Sequence, residues 1–187
     1  MNIRGYALTV WELIDPLYFM FTRLRYLEKN KEDPCIFRVR ITRYMGRSIT
    51  LMDGTAIEKN DLLIKIHLHN VRLLRMMSNQ KNDLHKARHL FKLVQSSLPK
   101  VASYLDSHSE KNQIKGIIGI TLLNKGCHRL GFETFSIVSK GYRAFKLTAL
   151  LPIFMLSTSP KTQKSIKIPE PNYLIMSKKQ LLERYRV

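Results

Sequence analysis

The sequence predicts an α+β fold: a single domain in which a mainly antiparallel sheet packs against long helices. Three observations predict it. Short stretches rich in Ile, Val and Leu, some alternating at a period of two, stand beside long stretches whose apolar residues recur three and four apart. The two kinds follow one another irregularly, unlike the regular strand–helix alternation of a doubly wound sheet. And 187 residues, 44% of them hydrophobic, are enough chain and enough apolar surface for one packed core.

Taken in order, residues 6–29 read as a helix broken at Asp15-Pro16, because Val10, Ile14, Leu17, Phe21 and Leu24 form a stripe. Residues 36–43 read as a half-buried strand, with Ile36, Val39 and Ile41 alternating against Arg38, Arg40 and Arg43. Met45-Gly46-Arg47 turns the chain and Ile49–Met52 returns it. Asp53-Gly54 is a tight-turn signal, and 62–69 supplies the next strand, so a three-stranded antiparallel meander is expected. A helical pattern follows from Asn70, with Leu84, Ala87, Phe91, Val94, Leu98, Val101 and Leu105 facing the sheet and Pro99 marking a kink or a fresh start.

The β-branched, Gly-punctuated run 114–123 reads as a buried strand, and Leu130-Gly131-Phe132 as a turn into a strand over 133–138. Residues 140–156 read as a helix, 157–171 as a Ser/Thr/Lys/Pro-rich loop and 173–176 as a short strand. Ser177 is then the N-cap of a last helix over 178–185.

Charge is the outlier. The net is +18 with an isoelectric point near 10.1. Residues 111–187 hold 14 Lys/Arg against 3 Asp/Glu, so the C-terminal third, from about 136 onward, is markedly basic. Such a field draws polyanions: nucleic acid, anionic lipid headgroups or envelope polymers. Cys35 and Cys127 form no Cys-x-x-Cys pair and read as reduced thiols of a cytosolic protein. The apolar stretches 6–27 and 144–156 are interrupted by Glu12, Asp15 and Pro16, and by Lys146 and Pro152, which argues against a span or an export signal. The expected location is the cytoplasm, with peripheral attachment at the inner face of the membrane.

Three groups of residues could carry function. The segment 136–169 holds Lys140, Arg143, Lys146, Lys161, Lys164 and Lys167 and no acid, with aromatic and aliphatic residues between them. That composition suits an anionic bilayer interface, where cationic stems reach headgroups and rings enter the acyl boundary. Arg38, Arg40, Arg72 and Arg75 suit a sequence-blind nucleic-acid surface. His67 and His69 share one face of a strand and are followed by Asn70, a candidate ligand-contact cluster in which Asn70 also fits a helix N-cap. His85 and His89 share a helix face, but no Glu or Cys accompanies either histidine pair, so no metal and no cofactor is expected. No nucleophile elbow, phosphate-cradling glycine loop or paired-carboxylate arrangement is present, which points away from catalysis.

Asp53-Gly54-Thr55-x-Ile57, Asp61 and Ile66-His67-Leu68-His69-Asn70 resemble the YkoP-like domain of Gram-positive bacteria, which occurs alone and attached to some polysaccharide deacetylases. Gly119-Ile120-Thr121-Leu122-Leu123, Arg129-Leu130-Gly131-Phe132 and Met176–Tyr185 extend the resemblance, so that 1–187 reads as one such domain. The chain departs from the pattern at Asn60, where Gly is expected, and at Lys65, where an acid is expected. The resemblance implies a domain with a loose link to envelope glycan enzymes and carries over no deacetylase motif. The leading expectation is a non-catalytic basic module docking on an anionic membrane or envelope surface through Lys140, Arg143, Lys146, Lys161, Lys164 and Lys167. The alternatives are a nucleic-acid-binding protein and a ligand-binding or enzymatic domain centred on His67 and His69.

Overall fold

The computed structural model describes residues 24–27, 35–69, 72–73, 82–122, 126–157 and 168–186. These form an α+β domain built on a mixed six-stranded sheet. In chain order the strands are β1 (Arg25–Tyr26), β2 (Phe37–Arg43), β3 (Ile49–Thr50), β4 (Ala56–Ile57), β5 (Leu62–Leu68), β6 (Ile114–Thr121), β7 (Glu133–Ser136) and β8 (Asn172–Ser177). The helices are α1 (Asp83–Ser107), α2 (Lys140–Ser157) and α3 (Lys178–Tyr185), with a 3-10 turn at Cys127–Leu130. The main sheet runs β1-β2-β5-β6-β8-β7, and β3 pairs with β4 in a separate hairpin.

Two expectations are corrected. The helix anticipated over 6–29 does not run through Arg25 and Tyr26, which pair as an edge strand with Val39 and Arg38. Residues 6–23 and 28–29 lie outside the described residues. Ladder hydrogen bonds to β2 satisfy this stretch of backbone, which overrides a local three-four pattern. The three-stranded meander is also absent. β2 pairs directly with β5, Phe37 opposite Leu68 through Arg43 opposite Leu62. The segment between them leaves the sheet as the β3–β4 hairpin, which turns at Asp53-Gly54 with Gly54 at φ +83°.

The Asp53 carboxylate fixes that excursion: one oxygen accepts the Thr55 backbone N–H at 3.0 Å, and the other accepts the Ser177 hydroxyl at the start of α3. Ser177 Oγ also accepts the Gln180 N–H at 2.9 Å, the N-cap role expected from sequence. Asn60, where Gly was expected, sits at φ +74°, a left-handed position that Asn tolerates.

Asn82 caps α1 by accepting the Leu84 N–H at 2.9 Å, and the helix continues through Pro99 as one 25-residue element. It joins β5 to its parallel neighbour β6, and a parallel pair needs such a crossover. Only the C-terminal half of the expected stripe is buried: Leu98, Val101 and Leu105, with Ala102, pack on Phe37, Val39, Ile64, Ile66 and Ile117, with Leu181 of α3 beside them, whereas Phe91 and Val94 are half-buried and Leu84 and Ala87 are exposed. Each fully buried aliphatic side chain there contributes about 1.5–3 kcal/mol. Ser97, buried on the same helix, accepts the Ile36 backbone N–H at 3.2 Å and leaves no orphan donor at the strand's start.

The opposite face of the sheet is divided. At one end the hairpin supplies Tyr44, Ile49, Leu51 and Ile57 to cover Leu63, Ile118 and Ile175. At the other end the outward row changes from apolar to cationic, and that is where the candidate site lies.

Candidate functional site

Directly opposite residues of an antiparallel pair share a face, as do residues two apart on one strand. The β2–β5 register sets Arg38 opposite His67 and Arg40 opposite Lys65. Four nitrogen-bearing side chains therefore form a square on the sheet face away from α1. The sequence alternation predicts a half-buried basic face on β2. Arg38 is in fact only 2% exposed, and the Nε atoms of Arg38 and Arg40 are both buried. The Arg38 guanidinium lies over the Tyr26 ring, 4.9 Å from its centroid. Helix α2 adds a fifth group: Lys146 acts on Lys65, His67 and Arg40 through space and lies 5.2 Å from the Tyr142 ring centroid and 5.3 Å from that of Phe145.

The electrostatics of this cluster are one-sided. Burial, then the charges of Lys146 and Arg40, pull the Lys65 ammonium down to about 8. Burial, then Lys65, Arg40, Lys146 and Arg38, pull His67 down to about 3, so its ring is neutral at physiological pH. Burial followed by Arg40 also lowers Lys146. Every charge acting on Lys65, His67 and Lys146 among the described residues is positive, and His67 Nε2 is buried without a hydrogen-bond partner. Like charges placed opposite one another on a sheet repel, and a buried polar atom left unpartnered costs about 1–3 kcal/mol. An anion seated among these groups removes both penalties.

His69 does something different. Its Nδ1 accepts the Arg72 backbone N–H at 3.2 Å and its carbonyl accepts the Leu73 N–H at 3.0 Å, while its own N–H reaches Ile36 O at 2.8 Å. That is a capping pattern, in the role anticipated for Asn70, which lies outside the described residues. The His69 ring stands 5.9 Å from Tyr26 and so borders the cluster.

The other expected surface residues separate. On α2, Lys140 is exposed, Arg143 pairs with Glu170 at 3.2 Å, and Lys146 turns to the cationic cluster. Lys161, Lys164 and Lys167 lie outside the described residues, as does Arg75. Arg72 is half-buried. Beyond Lys140 the exposed residues of α2 are uncharged: Gly141, Ala144, Phe145, Thr148, Ala149, Pro152 and Met155, with Phe145 63% and Met155 41% exposed. Among the described residues no three of His, Cys, Asp and Glu come together as a metal-binding group would require. No described helix is long and apolar enough to cross a membrane. An open cleft of about 240 Å³ at the β1 edge is lined by Arg25, Arg40, Ile41, Tyr104 and His108, so Arg40 stands between the cluster and a concave surface.

Sequence reasoning named Arg38, Arg40, His67 and Lys146 but assigned them to three different partners. It noted Lys65 only as a departure from a pattern. The available signal was the pair of two-residue spacings, Arg38-x-Arg40 and Lys65-x-His67, which become one site only once the register is known.

A family model described as the YkoP domain matches residues 4–185. A curated relative from Bacillus subtilis (strain 168), described as the uncharacterized protein YkoP, is 39% identical over 179 residues, which is 96% of each chain. No solved structure matches.

Proposed function

The chain belongs to the YkoP domain family, and from that premise we propose that it is a ligand-binding module that holds a small oxyanion, phosphate- or carboxylate-bearing, between β2, β5 and α2. The observation that carries this reading is the square formed by Arg38, Arg40, Lys65 and His67 with Lys146 above it, where Lys65 and His67 meet only positive charge among the described residues. Arginine forks and ammonium groups are the usual partners of phosphate and carboxylate, and charge-assisted bonds to them are the strong ones. Calorimetric titration with inorganic phosphate at low ionic strength tests it. Saturable binding is expected, weakened about tenfold or more in Lys65→Met, since a hydrogen bond to a charged group contributes roughly 1.5–3 kcal/mol. Absence of heat, together with no thermal stabilisation by phosphate beyond matched chloride, would remove the reading.

A second reading rests on its own observation, the outward face of α2, which is uncharged beyond Lys140. In a chain of net charge +18, an exposed stripe containing Phe145 and Met155 supports docking on an anionic bilayer. Cosedimentation with phosphatidylglycerol vesicles is expected to drop several-fold in Phe145→Asp/Met155→Asp. A double variant that sediments like the parent would dismiss membrane docking by this face.

A further inference from the structure

Resting on the anion-site reading, we propose that Lys65 is a reactive amine that condenses with an anionic aldehyde or keto compound held in the same site, forming a Schiff base. The argument begins with placement. Lys65 sits in the middle of β5, fixed on one side opposite Arg40 of β2 and on the other beside Ile118 of β6. A side chain on a central strand is held in place by ladders on both sides, which suits a nucleophile that must meet its target repeatedly in one geometry. It is half-buried rather than sealed, and no described residue gives Nζ a hydrogen bond or an ion pair. Arg40 stands opposite Lys65 and Arg38 opposite His67, so cationic residues border the amine, and Lys146 acts on the same cluster from α2.

Chemistry supports the placement. A lysine attacks a carbonyl only as the free amine, and burial among other cations is a known means of producing one at neutral pH. With Lys65 drawn down to about 8 by burial, Lys146 and Arg40, about half of it is neutral at pH 8, against roughly one in 300 for an ordinary lysine. The Nζ lone pair adds to the carbonyl carbon, and the C=O π pair becomes the hydroxyl of a carbinolamine. The C–O bond then breaks as C=N forms. The two protons of the amine leave with the oxygen as water, so no oxidant or reductant is consumed. The neutral His67 ring, on the same face two residues away, offers Nε2 to that hydroxyl. Protonation of the imine restores a positive charge that the bound anion offsets.

The test uses the whole protein with pyridoxal 5′-phosphate as an anionic aldehyde probe at pH 8, below one equivalent, followed by borohydride reduction and peptide mapping. Pyridoxal, without the phosphate, and excess inorganic phosphate run in parallel. Lys65 is expected to carry at least ten times the label of exposed lysines such as Lys59 and Lys179. That label should fall with pyridoxal and with competing phosphate, and be lost in a folded Lys65→Arg variant that still binds phosphate. If Lys65 is labelled no faster than Lys59 and Lys179 while calorimetry still shows phosphate binding, the amine chemistry is overturned and the anion site stands. If phosphate binding is absent as well, both readings fall.

Discussion

Gly116→Val is expected to yield little or no folded protein, and Gly116→Ala a protein destabilised by about 2–4 kcal/mol in urea unfolding at pH 7.5. Gly116 lies on β6, inside the main sheet between β5 and β8, at the point where the β5–β6 pairing shifts register between Leu62 and Leu63. Opposite it is Ser177. A Cβ at Gly116 would fall within the van der Waals shell of the Met176 carbonyl oxygen and 3.1 Å from Ser177 Cα, and both are backbone atoms that cannot swing aside. The strand would have to move, and two features ride on it. Met176 fills the core under α1, and Ser177 both caps α3 and receives the hairpin through Asp53. One added methyl thus strains the core, the last helix and the hairpin anchor together. Gly141 supplies the comparison. It lies on exposed helix α2 with open space where a Cβ would go, so Gly141→Ala is expected to stabilise by about 0.5–1 kcal/mol. A Gly116→Ala protein as stable as the parent would show that β6 and β8 can separate without loss.

How far the sequence reveals this arrangement depends on whether the decisive interaction is local. Ser177 as a cap, the Asp53-Gly54 turn and the Leu98–Leu105 stripe were legible, because each is set by residues within about one helical turn or one hairpin of one another. The edge pairing of Arg25 and Tyr26 was not legible, because it depends on a strand some dozen residues on. The meander failed for a related reason. Alternation shows that 36–43 and 62–69 are strands, but not that the chain between them folds out of the sheet and leaves them to pair directly. The site is a consequence of that pairing. Arg38 and Arg40 looked like a solvated basic face, and Lys146 like one cation in a membrane-facing run. Only the register Arg40 opposite Lys65, and the path of α2 back over the sheet, make one cluster of them.

Acidification from pH 7.5 to 5 is expected to cost the protein about 2 kcal/mol through His67 alone, a loss that His67→Gln should abolish. The sign follows from the direction of the shift. Burial and the surrounding cations hold His67 at about 3 in the folded chain, while in the unfolded chain it protonates near its ordinary 6.5. Below 6.5 the unfolded state therefore binds a proton that the folded state refuses, and stability falls as pH falls, until the folded ring itself titrates near 3. Lys65 acts in the same sense in a higher window: its stability contribution rises as pH rises from about 8 to 10.5. Between pH 7.5 and 5 most carboxylates remain ionised, so urea unfolding of the parent and His67→Gln isolates the histidine. An anion bound beside the ring reverses part of this effect. It favours the protonated imidazole, and by reciprocity the anion binds more tightly as the ring gains its proton. Sulfate, whose charge does not change over this range, should therefore stabilise the parent more at pH 5 than at pH 7.5, relative to chloride of equal ionic strength. In His67→Gln that pH dependence should shrink to the small part that Lys65 supplies as its remaining neutral fraction protonates, while general salt stabilisation remains. Equal sulfate stabilisation at both pH values in the parent would mean that no bound anion raises the His67 ring from about 3 to the neighbourhood of 5. The binding-site reading would then stand or fall on the phosphate titration.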